Sequence, residues 1–349
     1  MRRTAFLAAA LLASACGGVR PAAQSTPAAP EPPPGYSVGA PALPAPTSPE
    51  AAAATKGRGD AAFLVGDLAY RGSTAGLVIG ELVDGGTRWE ERSVVYLRDA
   101  ASDVVVKDGV AFVASGPQGV TAVDVTDPRK PVPVAVVRTP GAAVRLELRG
   151  ALLLVADGSM GLAVVDVADP RAPKPIAAWR SQGYVKHAIF ADDGTIYAAE
   201  GTAGVTRLSF DGRALTEVWR LDTAGEARAL RLQGGTLYVA DGPAGIAAID
   251  VTGQRPVETR RLALADMARD LDVTDDGTWA FVASGDDGVV TIDLAKPALE
   301  LASALALEKP VNRVKLYGTR LVVGNDSAGL GILDVSTPAK PVRIFPAEK

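Results

Sequence analysis

Six glycines recur at separations of 41, 44, 41, 42 and 41 residues (Gly109, Gly150, Gly194, Gly235, Gly277 and Gly318), and this period constrains the fold of the chain more than any other feature. Each opens the same phrase, clearest in Thr236-Leu237-Tyr238-Val239-Ala240-Asp241-Gly242-Pro243-Ala244-Gly245-Ile246-Ala247-Ala248-Ile249-Asp250-Val251. Repeats of this length, made of short β-branched runs broken by Gly and Pro, indicate four-stranded units laid side by side. One such unit cannot bury its apolar surface alone, so the array must close on itself or be capped.

The repeat over residues 269–307 shows the division best, with strands predicted at 269–273, 279–284, 289–294 and 299–307. The second-to-third connection always ends in glycine, at Gly119, Gly161, Gly204, Gly245, Gly288 and Gly329. A hairpin of this length needs positive φ just before the new strand, which glycine adopts at little cost. The third-to-fourth connection carries Asp127-Pro128, Asp169-Pro170 or Thr337-Pro338, which start a turn and stop the strand. Ahead of the six units, residues 61–70, 76–83 and 88–97 read as the second, third and fourth strands of a divergent unit with a longer hairpin over 71–75. Its inner strand is either absent or supplied by a segment near residues 36–38. The expectation is an all-β chain forming a β-propeller of seven four-stranded antiparallel blades, with six blades as the alternative.

The phrase Gly161-Leu162-Ala163-Val164-Val165-Asp166-Val167, with its counterparts at 119–125, 245–251, 288–294 and 329–335, resembles the LVIVD repeat of bacterial and archaeal surface β-propellers. The resemblance covers roughly residues 98–345. It departs at 204–210, where Ser209 replaces the aspartate found at Asp124, Asp166, Asp250, Asp293 and Asp334. The Trp-Asp and Gly-His marks of WD40 repeats are absent. The resemblance implies a propeller at a cell surface, and no particular activity.

The first residues read as an export signal: Met1-Arg2-Arg3 form a positively charged start, residues 5–13 form a short apolar run, and Ala13-Ser14-Ala15 are small. They precede Cys16, the only cysteine. Ser14-Ala15-Cys16 resemble a bacterial lipobox, with Leu12 one place early, which implies acylation of Cys16; the alternative is an ordinary signal cleavage beside an incidental cysteine. Gly17 after the cysteine resembles lipoproteins sent on to the outer membrane of a Gram-negative cell. The domains expected are a signal peptide at 1–15, a lipidated Pro/Ala-rich tether at 16–59 and the propeller at 60–349. Ten prolines among Ala, Ser and Thr favour extended spacing over packing in that tether. With no second cysteine, the exported domain must draw its stability from burial.

A net charge of −4 and a pI near 5.3 argue against nucleic acid as the main partner. The partners expected are the membrane, through the anchor, and an envelope protein or glycan.

Strand alternation places the fourth-to-first crossings and the second-to-third hairpins on one face of the disc. Two polar columns are therefore expected around the channel mouth. The first opens the inner strands: Asp103, Arg145, His187, Ala229, Asp270 and Arg313, with neighbours Ser102, Val144, Lys186, Arg228, Arg269 and Asn312. The second ends the second strands: Ser115, Asp157, Glu200, Asp241, Ser284 and Asn325. Convergent polar side chains at such a mouth are where propellers bind. From these columns the candidate ligand-binding residues are Asp103, Arg145, His187, Arg228, Arg269, Asp270, Arg313, Asp157, Glu200 and Asp241. The bland reading is that the aspartates cap turns and that pairs such as Arg269-Asp270 join neighbouring blades.

No cofactor is expected. Asp157, Glu200 and Asp241 offer oxygens suited to Ca²⁺, but they lie on different blades and no loop has a dense Asp-x-Asp pattern. One His and one Cys leave no basis for zinc. His187 could titrate near neutral pH, but it has no nucleophile assigned beside it. The function expected is a non-catalytic binding or scaffold module on the cell envelope. The alternatives are a carboxylate-based hydrolase with its site at the channel mouth, and a subunit of an envelope secretion, motility or polysaccharide-export machine.

Overall fold

The computed structural model describes residues 31–41, 61–325 and 329–345. Cys16 and the signal peptide lie outside them, as does most of the tether. The described chain forms seven four-stranded antiparallel blades, each a local meander in which neighbouring strands in the sequence pair with one another. Blade 6 runs Asp270–Val273, Trp279–Ala283, Val289–Asp293 and Glu300–Leu305, within two residues of the bounds predicted for it.

Apolar packing makes the ring. In the second strand of blade 3, Leu152–Ala156, Leu153 and Val155 join a cluster with blade 2, while Leu154 and Ala156 join one with blade 4. Both faces are buried, which is why second and third strands read as unbroken apolar runs. Seven clusters fill the seven blade-to-blade interfaces. Outer strands such as Val257–Leu262 are exposed or half-buried along their whole length.

Two devices recur. Every third-to-fourth pairing carries a register shift, for example between Val164 and Val165 and between Thr291 and Ile292, and such bulges increase strand twist. The hairpin-closing glycines have the positive φ expected, as at Gly161 (φ 103°), with a second constraint besides. A Cβ on Gly161 would stand 2.0 Å from the Trp179 carbonyl oxygen of the outer strand. The repeat aspartates end the third strands by accepting the amide two residues on: Asp166 from Ala168, Asp250 from Thr252, Asp334 from Ser336.

The first blade differs from its sequence reading. Residues 61–70 are not one strand: a turn at Gly66-Asp67 divides them into Ala62–Val65 and the start of Leu68–Ser73. Blade 1 therefore has its own inner strand, and the hairpin between its second and third strands is tight, joining Ser73 to Gly76. Alanine at 61–62 and glycine at 66 carry little strand propensity, which hid the break.

The segment near residues 36–38 does not complete blade 1. Ser37–Gly39 pairs antiparallel with Arg138, Val137 and Val136 as a fifth strand on the outside of blade 2. Tyr36 is buried in the cluster between blades 2 and 3. This part of the expected tether is thus bound to the ring.

Ring closure uses no shared sheet, since blades 1 and 7 each hold four strands of their own. Their seam consists of Leu64, Ala69 and Leu82 against Val322, Leu330 and Ile332, the smallest of the seven clusters. Phe63 meets Tyr317 edge-on at 6.1 Å, and Arg320 pairs with Asp67 at 2.9 Å. Truncating Ile332 to Ala should cost about 2–5 kcal/mol. Because the seam is the weakest interface, Ile332→Ala should also raise amide exchange in blades 1 and 7 ahead of blades 3–5, as read by hydrogen–deuterium exchange.

Candidate functional site

The inner strands converge on the axis as edge strands, and the amides on their free edges need acceptors. The first polar column supplies them. Asp103 accepts the Leu146 amide of blade 3 (2.8 Å), and the Nδ1 of His187 accepts the Leu230 amide of blade 5 (3.1 Å). Asp270 accepts the Val314 amide of blade 7 at 3.2 Å. Each of these acceptors belongs to the preceding blade, so the column ties blade to blade.

Arg145 has no such acceptor and reaches across the ring instead. Its guanidinium donates to both carboxylate oxygens of Asp270, from blade 3 to blade 6, at 2.8 and 3.1 Å. The side chains are 8% and 1% exposed, so this ion pair plugs the channel. Two residues further along each inner strand the side chains face the axis again, because strand alternation has period two. There Arg231 donates to Asp272 at 2.6 Å, and Asp272 accepts the Leu316 amide at 2.9 Å. A cavity of about 160 Å³ remains among Asp103, Arg145, Glu147, His187, Arg231 and Lys315, walled on the blade 1 side by Ala61, Ala62 and Phe63.

Burial sets the protonation states. It lowers Arg145, further depressed by Arg313 and opposed by Asp270 and Asp103, to about 10, so Arg145 stays charged at neutral pH. Burial pushes Asp272 up, but Arg231 and Lys315 outweigh it and hold the carboxyl below its usual range. His187 differs from the expectation of a group titrating near neutrality. Burial, with Arg145, Arg231, Arg313 and Lys315 around it, drives it well below 6.5 and keeps it neutral.

The rim is built by the neighbouring column. Val144, Lys186, Arg228, Arg269 and Asn312, with Tyr184, Arg145 and Arg313, line an open cup of about 390 Å³ above the plug. It draws on blades 3 to 7. Glu226 holds Lys186 at 2.9 Å and lies 3.3 Å from Arg228. Arg269 donates to Asn312, so Arg269 and Asp270 are not partners: one turns to the rim, the other into the plug.

The second column does not reach the mouth. Asp157, Glu200 and Asp241 line neither cavity and are fully buried. Each grips the crossing that enters its blade. Asp157 accepts the Gly141 amide (3.0 Å) and the Tyr36 hydroxyl (3.3 Å). Glu200 accepts from Ser181, Thr206 and Arg220. Asp241 accepts from Thr223 (2.7 Å), Gly225 (3.1 Å) and Arg261 (2.8 Å). These carboxylates were read as candidate ligands because each ends a strand on the correct face. The signal for a clamp was also present, as Thr139-Pro140-Gly141, Ser181-Gln182-Gly183 and Thr223-Ala224-Gly225 lie 16–17 residues before the glycine-to-carboxylate contacts they make. Among the described residues no three His, Cys, Asp or Glu side chains gather as a metal site.

Of the ten candidates, Asp103, Arg145, His187, Asp270 and Arg313 line the channel, while Arg228 and Arg269 line the cup together with Arg145 and Arg313. Sequence reasoning missed Glu147, Arg231, Asp272 and Lys315, which the period-two alternation from the first column would have found.

These features define a seven-bladed β-propeller whose channel is closed by charged side chains beneath a basic rim. The LVIVD repeat matches residues 99–139, 140–176, 224–253 and 310–346, so four LVIVD repeats lie within the propeller. Among solved structures it is similar to a Bacteroides fragilis protein provisionally called a 6-phosphogluconolactonase, with 14% identity, 83% of this chain and 94% of that one covered, and a TM-score of 0.69. A counterpart from Bacteroides uniformis, under the same provisional name, gives 13% identity, 78% and 91% coverage and 0.67. The WD40 propeller domain of Doa1 gives 10%, 82%, 95% and 0.67. At these identities the likeness concerns the fold alone. No curated protein matches the chain.

Two outcomes test the site. Arg145→Met strands the Asp270 charge in the channel and should cost about 3–5 kcal/mol, whereas Arg145→Met with Asp270→Asn should recover most of that in urea titrations. His187, the one histidine of the chain, binds a proton when unfolded below about pH 6.5 but not when folded. Its depressed value means full stability above that pH and a loss of up to about 1.4 kcal/mol per pH unit as pH falls below it. His187→Gln should flatten that slope between pH 6.5 and 5.

Proposed function

We propose that this protein is a cell-envelope lipoprotein whose propeller works as a non-catalytic binding module, presenting the channel-mouth face to its partner. The observation that carries the reading is the division of labour in the ring. The channel carboxylates Asp103, Asp270 and Asp272 are committed to backbone amides and cations, and the rim above them is an open, polar cup. A hydrolase of the kind expected from paired acids needs one carboxyl held protonated next to one that is free. Here Asp270 is held by Arg145 and Asp272 by Arg231, in a plug with little room for a substrate.

The anchor reading is supported by Ser14-Ala15-Cys16 after a short apolar run, and by the proline-rich residues that follow. A lipid on Cys16 would tie the propeller to the membrane through its proline-rich tether, and several acyl chains make such anchoring durable. No helix among the described residues is long and apolar enough to cross a membrane.

Crosslinked affinity purification of the full chain from intact cells, beside Cys16→Ala, checks both halves. Wild type should fractionate with membranes and Cys16→Ala should not. An envelope component should be enriched with the wild type and lost when Arg228 and Arg269 are both changed to Gln. A wild-type chain found in the soluble cytoplasmic fraction would sink the reading.

A further inference from the structure

We infer that the cup at the channel mouth binds a small oxyanion group, a phosphate or carboxylate carried by its ligand. The inference rests on the binding reading above and gives that site its chemistry.

The wall decides it. Arg145, Lys186, Arg228, Arg269 and Arg313 all line the cup, and among the described residues no carboxylate does. This concentration of cations occurs in a chain of net charge −4, so it does not follow from composition. Lys186, Arg228 and Arg269 stand at one repeat position in three consecutive blades, which sets them around the axis at a common height. The acids that steady them stay outside the wall. Glu226 touches Lys186 and Arg228 without lining the cup, and Asp270 lies in the plug below.

The donors are only partly used. Among the described residues Arg313 makes one long hydrogen bond, 3.5 Å to the Val144 carbonyl, while Arg269 donates to Asn312 and feels the Asp266 carboxylate, which lies outside the wall. Each guanidinium carries five N–H donors in a planar fork suited to two-pronged contact with an oxyanion. Asn312 and Tyr184 complete the wall, and Tyr184 is 43% exposed there. A pocket made so largely of donors favours a ligand rich in acceptors. The cations also crowd one another around the cup: Arg145 is lowered chiefly by burial and further by Arg313. An anion in the centre relieves that crowding of like charge, while a neutral ligand does not. About 390 Å³ lies in the range of small-molecule sites, roughly 300–1,000 Å³.

The test is calorimetric titration of the full chain with inorganic phosphate, citrate, glucose 6-phosphate, glucuronate and glucose at low ionic strength. The acids should bind and glucose should not, with affinity falling as NaCl is raised. The stronger of the phosphate and carboxylate probes identifies the group the natural ligand carries. Arg228→Gln and Arg269→Gln, both at half-buried rim positions, should each weaken binding about ten-fold or more, since each removes a charge-assisted contact. Arg228→Lys should fall between, keeping the charge without the fork. Arg171→Gln, on the outer side of the ring, should leave affinity unchanged. If a neutral glycan or a protein binds and Arg228→Gln/Arg269→Gln binds it equally well, the oxyanion assignment is overturned while the binding module stands. Absence of heat from every acid at millimolar concentration, with melting curves showing a folded chain, overturns the assignment as well.

Discussion

The inner edge of each blade governs this structure. Seven sheets that meet around an axis each bring an edge strand to it, and the amides there have lost water without gaining a neighbouring strand. A buried amide without an acceptor costs about as much as a lost hydrogen bond. The ring resolves this with side chains: Asp103, His187, Asp270 and Asp272 each accept an amide from the next blade. Accepting groups of that kind bring negative charge into a narrow channel, and Arg145, Arg231 and Lys315 are the consequence. The closed channel therefore follows from the edge problem.

On the same logic the rim is where constraint ends. One residue before the inner strands of blades 4, 5 and 6, the side chains of Lys186, Arg228 and Arg269 turn to the cup, and none of them accepts an amide of the next blade. Backbone bridges such as Gly158–Val185 and Gly242–Ala268 already fasten the crossings there. Lys186, Arg228 and Arg269 stand at that position in three consecutive blades and line the cup. The lower residues serve the ring's own hydrogen bonds, while these upper ones face the open cup.

How much of this was legible from the chain depended on whether a feature repeats. The period and the hairpin glycines recur six times, so the blades and their boundaries could be read to within a residue or two. Blade 1 could not, because Gly66-Asp67 makes a turn with no counterpart in the other repeats, and a ten-residue run looked like a single strand. The five-stranded blade 2 was likewise hidden, since a three-residue strand following Gly35 carries almost no pattern. In the site, the first column was found as a column, but its role was not. A carboxylate at a strand start reads alike whether it accepts an amide, a metal or a ligand. Asp157, Glu200 and Asp241 were placed on the correct face and still assigned to the wrong surroundings, because their partners are backbone amides of glycines in a different connection.

The difference between Arg269 and Asp270 shows where sequence reasoning and geometry part. As neighbours of opposite charge they suggest a pair. Strand alternation forbids it: adjacent side chains point to opposite sides, so Asp270 enters the plug while Arg269 turns out to Asn312. The same alternation separates Arg228 from Ala229 in blade 5. One residue of register thus decides whether the Arg269 or the Asp270 charge enters the plug. That is why a chain with a net negative charge can present a rim whose cup is walled by five cations.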